Sequence, residues 1–281
     1  MALKVPRAGG PSLFKDGYKQ FQGIEEAVLR NIQAVNELSD IVRTSYGPNG
    51  RNKMIVNHLG RIFVTSDAAT IILLRRGAEG PSVLMGMRGA GAVFMPSKYV
   101  FPGGAVDPED AGVRFADPLP EPLRRPLLAE AQGIAPETIA AAALRELAEE
   151  TGLMTGRPGP APQGWSHYQG AGLAPDPSAL IYLFRAITPP GRSRRFDARF
   201  LLLDAEHLYG DRHDFSTACD ELGHLHWVPL SQARALDLPF ITEVVLAEIA
   251  RLAAAPGPVR PPETVPFFDN RGPQPRFARL S

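Results

Sequence analysis

Three carboxylates stand at relative positions i, i+3 and i+4 in the run Arg145-Glu146-Leu147-Ala148-Glu149-Glu150-Thr151-Gly152-Leu153. On an α-helix that spacing gathers Glu146, Glu149 and Glu150 onto one face, within about 5–6 Å of each other. Like charges so crowded repel, and hard oxygen ligands suit Mg²⁺ or Mn²⁺ better than softer metals. A solvated acidic helix face carries the same spacing, so the three residues alone leave both readings open.

The helix that would carry them is well marked. Pro136 suits a first helical position, Glu137 sits where the positive end of the dipole favours an acid, and Gly152 supplies a left-handed terminator. Between them, Ala140 to Leu144 are strong helix formers. Upstream lies Phe101-Pro102-Gly103-Gly104-Ala105-Val106-Asp107, a glycine turn after an apolar strand, with Asp110 completing a D-x-x-D pattern. Residues 108 to 136, with five prolines between 108 and 126, read as an inserted loop with a short helix around Leu123 to Glu130.

The string R-E-L-A-E-E-T-G-L resembles the second half of the Nudix box, and F-P-G-G resembles the segment that leads into it. The resemblance departs from standard spacing, since Ala131 stands fourteen before Arg145 where the box has glycine. It implies a hydrolase in which divalent metal bridges a diphosphate while water attacks one phosphorus. It makes Glu149 and Glu150 metal ligands, Glu146 a ligand or the water-activating base, and Arg145 the partner that orients a glutamate. The carbonyl of Gly104 would face the metal. The interrupted box is similar to the branch of coenzyme A and acyl-coenzyme A diphosphatases, and that likeness runs from about residue 67 onward.

Weaker candidates follow. Glu221, just before a strand, sits where many Nudix enzymes place an extra acid near the metal, and strand-end acids of no such role are as common. Arg194 and Arg195 could grip phosphates bidentately or line a solvated loop. His224 and His226 alternate onto one strand face without a third soft ligand nearby and read as packing or surface histidines. Cys219 is the one cysteine, which excludes an internal disulfide and fits a reducing compartment.

The elements expected to position these groups are short apolar strands at Ile71 to Leu74 and Val83 to Met87 around the Gly80-Pro81 turn, then Tyr99 to Phe101. Further strands are expected at Leu180 to Ala186, Phe200 to Leu203 and Leu225 to Val228, with a closing helix from about Ile241 to Ala254. Strands and helices mix without strict alternation, which suits the α/β/α Nudix sandwich with its mixed sheet.

Residues 1 to 66 point elsewhere. Apolar residues at 24, 28, 32, 35, 38 and 42 give helical spacing, and Met54 to Val56 and Arg61 to Thr65 read as a hairpin. R-T-S-Y-G-P-N-G-R-N-K-M-I resembles the first signature of the group II chaperonins, the theta subunit in particular. That likeness implies an equatorial-domain fragment in which Gly47, Pro48 and Gly50 would lie against nucleotide phosphates and Asp67 would close the segment. The rest of an ATPase is missing, and so small a piece is not expected to be an autonomous domain. The run Asp67-Ala68-Ala69-Thr70-Ile71 fits both likenesses, so the two meet without a linker, as in a natural, misassembled or built chimera.

The division expected is thus 1–66 chaperonin-like, 67–255 Nudix-like with an insertion at about 108–136, and a proline-rich tail at 256–281. Residues 1–66 hold nine Lys/Arg against five Asp/Glu, net +4, and the remainder 21 against 25, net −4. Neither half has the basic density of a nucleic-acid binder, and no apolar run reaches membrane-spanning length. The expected partner is a small-molecule diphosphate. The Nudix likeness brings a homodimer as the common assembly, and the chaperonin likeness brings association with a chaperonin ring as the less favoured option. The expected compartment is the cytoplasm, with peroxisome or mitochondrion as alternatives.

Overall fold

The computed structural model describes residues 53–56, 62–92, 94–131, 133–190, 192, 194–255, 257–272 and 274–281. The helix expected at 24–42 and the turn at Gly47, Pro48 and Gly50 lie outside these residues. Along the chain run β1 (Lys53–Val56), β2 (Ile62–Gly77), β3 (Gly80–Arg88), β4 (Tyr99–Val100), β5 (Gly103–Ala105), α1 (Glu121–Leu128) and α2 (Pro136–Thr151). There follow β6 (Gly156–Pro158), α3 (Ser166–Ala171), β7 (Leu173–Pro175), β8 (Ile181–Ile187), β9 (Arg195–Asp204), β10 (Leu222–Pro229), α4 (Leu230–Ala233), α5 (Phe240–Ala253), β11 (Val265–Asp269) and β12 (Arg276–Leu280).

A mixed sheet runs in the order β10-β3-β2-β9-β8-β11-β12, with β1 and β5 paired to β2 and β4 to β3. The pairs β2–β9 and β8–β11 are parallel. Side chains alternate across a strand, so β2 sends Ala69, Ile71 and Leu73 to the core shared with α1 and α2, while Ile72 and Leu74 pack with Val245 and Ile249 of α5. Helices on both faces make the expected α/β/α sandwich. No helix among the described residues is long and apolar enough to cross a membrane.

Helix α2 follows its sequence signals. Pro136 occupies the first turn, and Gly152 ends the helix at φ 76°, where its N–H still reaches the Ala148 carbonyl at 2.9 Å. Ala140 to Ala143 are fully buried. Their short side chains let the helix backbone lie close over the sheet.

Two expectations change. The strands expected at 61–65 and 71–74 are one sixteen-residue strand, β2, in unbroken parallel register with β9 from Thr65↔Arg195 to Leu74↔Asp204. Asp67 looks like a break, but it is buried and paired with Arg199, so the strand passes through it. The proline-rich tail, for which no strand is expected, rejoins the sheet: Phe267 is fully buried on β11 with the guanidinium groups of Arg185 and Arg271 over its ring.

Candidate active site

The site is built where the C-terminal half of α2 faces β5. Strand β5 pairs with β2 through Ala68↔Ala105, Ala69↔Gly104 and Thr70↔Gly103. The flanking bonds, Ile71 N–H to Pro102 O and Val106 N–H to Asp67 O, set the alternation of the ladder. Gly104 therefore falls in the bonded set opposite Ala69, and Gly103 and Ala105 turn their polar groups toward α2. The Gly103 N–H donates to Glu150 Oε2 at 2.7 Å, and the Ala105 carbonyl accepts from Arg145 Nη2 at 3.0 Å. This corrects the expectation for Gly104, whose carbonyl belongs to the strand pair. Its contribution is proximity: a Cβ there would stand 2.3 Å from Glu146 Oε1.

Arg145 organises the carboxylates. Its Nε and Nη2 donate to Asp110 at 2.9 and 3.0 Å, while Nη1 donates to Glu146 at 2.9 Å and to Glu149 at 3.0 Å. Every N–H of the guanidinium is engaged. Burial alone would lower its pKa, but the bonds to Asp110 and the charges of Glu146, Asp110 and Glu149 more than compensate, so the group stays cationic. Asp110 is buried and also accepts the Asp107 N–H in a capping box, which explains the D-x-x-D spacing.

The three glutamates occupy different environments. Glu150 is buried, its Oε1 has no hydrogen-bond partner among the described residues, and burial pushes its carboxyl up to about 8. Glu146 is pushed up to about 7 by burial against the pull of Arg145. Glu149 is about half exposed at the rim. Glu221 lies at the mouth, bonded by Arg88 Nη2 at 2.9 Å, and its charge acts on both Glu146 and Glu150. Arg88 was not singled out from the sequence; its one signal is its place across from Leu222 in the β3–β10 register.

Other expected residues do not join. Arg195 is buried with Nε on the Thr188 carbonyl and Nη2 on that of Asn270, so these donors brace main chain. Arg194 is exposed just before β9. His224 and His226 are exposed, and a bulge between Gly223 and His226 breaks their alternation. Asp67, carried over as a nucleotide contact, is a buried ion-pair partner of Arg199 inside β2.

The chain is similar to two unrelated families at once. The model of the TCP-1/cpn60 chaperonin family matches residues 38–74. The probable T-complex protein 1 subunit theta of Schizosaccharomyces pombe is 62% identical over 72 residues, which is 26% of this chain and 13% of that protein. The human theta subunit is 60% identical over 73 residues, again 26% and 13%. The chain thus spans about an eighth of the length of these relatives. Among solved structures, a Nudix hydrolase from Alicyclobacillus acidocaldarius is 28% identical with a TM-score of 0.47, covering 70% of this chain and 99% of that one. The M. smegmatis Nudix hydrolase RenU is 16% identical with a TM-score of 0.38, covering 74% and 98%.

Proposed function

We propose that this chain is a divalent-cation-dependent Nudix-type hydrolase that cleaves a diphosphate linkage in a nucleoside diphosphate derivative, with coenzyme A or acyl-coenzyme A species as favoured substrates. The observation that carries the reading is the Asp110-anchored Arg145 holding Glu146 and Glu149 beside a buried Glu150 that faces the Gly103–Gly104 strand. The interrupted box motif supports the coenzyme A branch.

The residues fit a hard cation. Glu150 Oε1 is a buried oxygen without a partner among the described residues, and two carboxyls whose burial opposes their ionisation need a positive neighbour to stay charged. Among the described residues no three acidic, histidine or cysteine side chains already form an ion cage, since Glu146 and Glu149 are turned to Arg145. Glu146, Glu149 and Glu150 would hold Mg²⁺ or Mn²⁺, with Glu221 at the rim. Bound there, the ion would neutralise phosphate charge and lower the pKa of a water.

The chain's own groups divide the remaining work. Arg145 has no N–H to spare, so it orients glutamates and leaves the substrate to others. The Arg88 guanidinium bonds only Glu221 among the described residues, and its remaining donors suit phosphate oxygens. Glu146, where it is not a ligand, takes the proton of the attacking water as the bridging P–O bond breaks.

Purified protein with Mg²⁺ is expected to release phosphorylated products from at least one of a panel of coenzyme A esters, NADH, ADP-ribose and capped RNA. Glu149→Gln should abolish the activity. No product from any of them would end the proposal.

A further inference from the structure

Beside the carboxylate cluster, the outer face of α2 and the start of α3 enclose a cleft of about 10 Å³ lined by Arg145, Glu149, Trp165, Ser166 and His167. Among the side chains of this cleft that are not exposed, the donors are nearly all engaged. Arg145 spends its N–H groups on Asp110, Glu146, Glu149 and Ala105, and His167 Nε2 lies 3.0 Å from the Thr217 carbonyl. Trp165 is the exception. Its residue is 4% exposed, yet its indole Nε1–H meets no acceptor among the described residues.

Across the same cleft stands an acceptor, the half-exposed carboxylate of Glu149. Glu149 gives Oε2 to Arg145, and its Oε1 bonds no described residue. The space suits one water, whose requirement is about one probe sphere of volume and two or more polar partners. A phosphate group is too large for it. The ring of Trp165 cannot swing to seek another acceptor, because it packs in the core with its centroid 5.2 Å from that of Tyr168, whose hydroxyl is itself tied to the Thr155 carbonyl at 3.1 Å.

We infer that Trp165 is a positioning residue: its Nε1–H donates to one bound water, which donates in turn to Glu149 Oε1 and fixes the carboxylate that Arg145 holds from the other side. Glu149 would then be clamped by a direct charged bond and a bridged neutral one. A carboxylate restrained at both oxygens presents one orientation to a cation, as outer partners do for metal ligands in general. The inference rests on the hydrolase reading only in taking Glu149 for a cation ligand.

The first test needs no variant. In wild-type protein with ¹⁵N-labelled tryptophan, the Trp165 indole proton should show a magnetisation-transfer contact to a long-lived water, and a high-resolution crystal structure should place that water within hydrogen-bond reach of Nε1 and Glu149. An indole proton without a water contact overturns the inference. The second test compares Mn²⁺ affinity in wild type and Trp165→Phe, which keeps an aromatic ring, though a smaller one, and removes the donor. Affinity should fall by ~10-fold, in the range typical of outer-partner loss. In the background of Glu149→Gln the same substitution should change nothing further. Unchanged affinity in Trp165→Phe, or an equal loss in the Glu149→Gln background, overturns it. If wild type binds no Mn²⁺ the hydrolase reading fails instead, and the water measurement alone decides.

Discussion

Arg145 and Asp110 meet through two parallel hydrogen bonds, Nε to Oδ1 at 2.9 Å and Nη2 to Oδ2 at 3.0 Å, with both side chains buried. The pair ties α2 to the turn after β5. Without Asp110 the buried Arg145 keeps Glu146 and Glu149 but loses the acceptors of two donors, at a cost of about 1–3 kcal/mol. Asp110→Ala is therefore expected to lower the denaturant midpoint by that measure and to remove activity, read from urea unfolding and product release on the same preparation.

Gly104→Ala tests the closeness of β5 to α2. The added methyl meets the Glu146 carboxylate inside van der Waals contact, and Gly104 has no left-handed backbone to complicate the reading. Activity should fall by roughly 10²-fold with an overpacking cost of about 1–3 kcal/mol. Wild-type turnover in this variant would show that Glu146 has room to move.

Divalent cation should raise the thermal midpoint of the wild-type protein, because a ligand that binds only the folded chain stabilises it by mass action. Glu150→Gln keeps the size of the side chain and removes the charge that a cation needs. Thermal scans with Mg²⁺ and with chelator are expected to separate in wild type and to coincide in the variant.

The arginines should divide cleanly. Arg88→Ala is expected to raise KM for the diphosphate substrate by ~10-fold, the scale of a lost charged hydrogen bond. Arg195→Ala should leave KM unchanged and cost about 1–3 kcal/mol of stability through two orphaned carbonyls. Steady-state kinetics with unfolding curves on both variants would expose a reversed pattern.

Acid unfolding should involve the C-terminal strands. Bonds from Arg271, against a desolvation effect of the opposite sign, hold the Asp269 carboxyl down at about 2, below the 3.8 of a free carboxyl. A depressed folded pKa means that the stability it adds is present above about pH 4 and is lost as pH falls toward 2. Asp269→Asn should flatten the stability profile across that window, with a difference of ~1 kcal/mol at pH 5 after allowance for solvent screening. Equal slopes would remove Asp269 from the account.

Much of the site was legible because its signals are local. Pro136 and Gly152 bound α2, and the period of the helix brings Glu146 and Glu149 to one guanidinium without reference to the rest of the chain. What was not legible depends on register. Only the pairing of β5 with β2 shows that the Gly104 carbonyl turns to the strand pair and away from the glutamates, and only the pairing of β3 with β10 brings Arg88 to Glu221. Arg195 misled because an arginine in a sequence reads as exposed, and its acceptors lie on Thr188 and on Asn270, 75 residues away. The strand in the tail went unread because prolines mask its five residues and its parallel partner, β8, is 82 residues back.

A seam between two ancestries is ordinarily sought in a linker, where either side can be cut away. Here it would fall within a paired strand whose Thr65 to Leu74 share one unbroken register with β9. Thr65 to Asp67 are thus no passenger that proteolysis could trim without cost. Removing them would strip the first rungs from the strand on which Gly103 and Gly104 are laid, and it would leave Arg199 buried without the aspartate that neutralises it from β2. The residues that resemble a chaperonin end inside the strand that carries the candidate site.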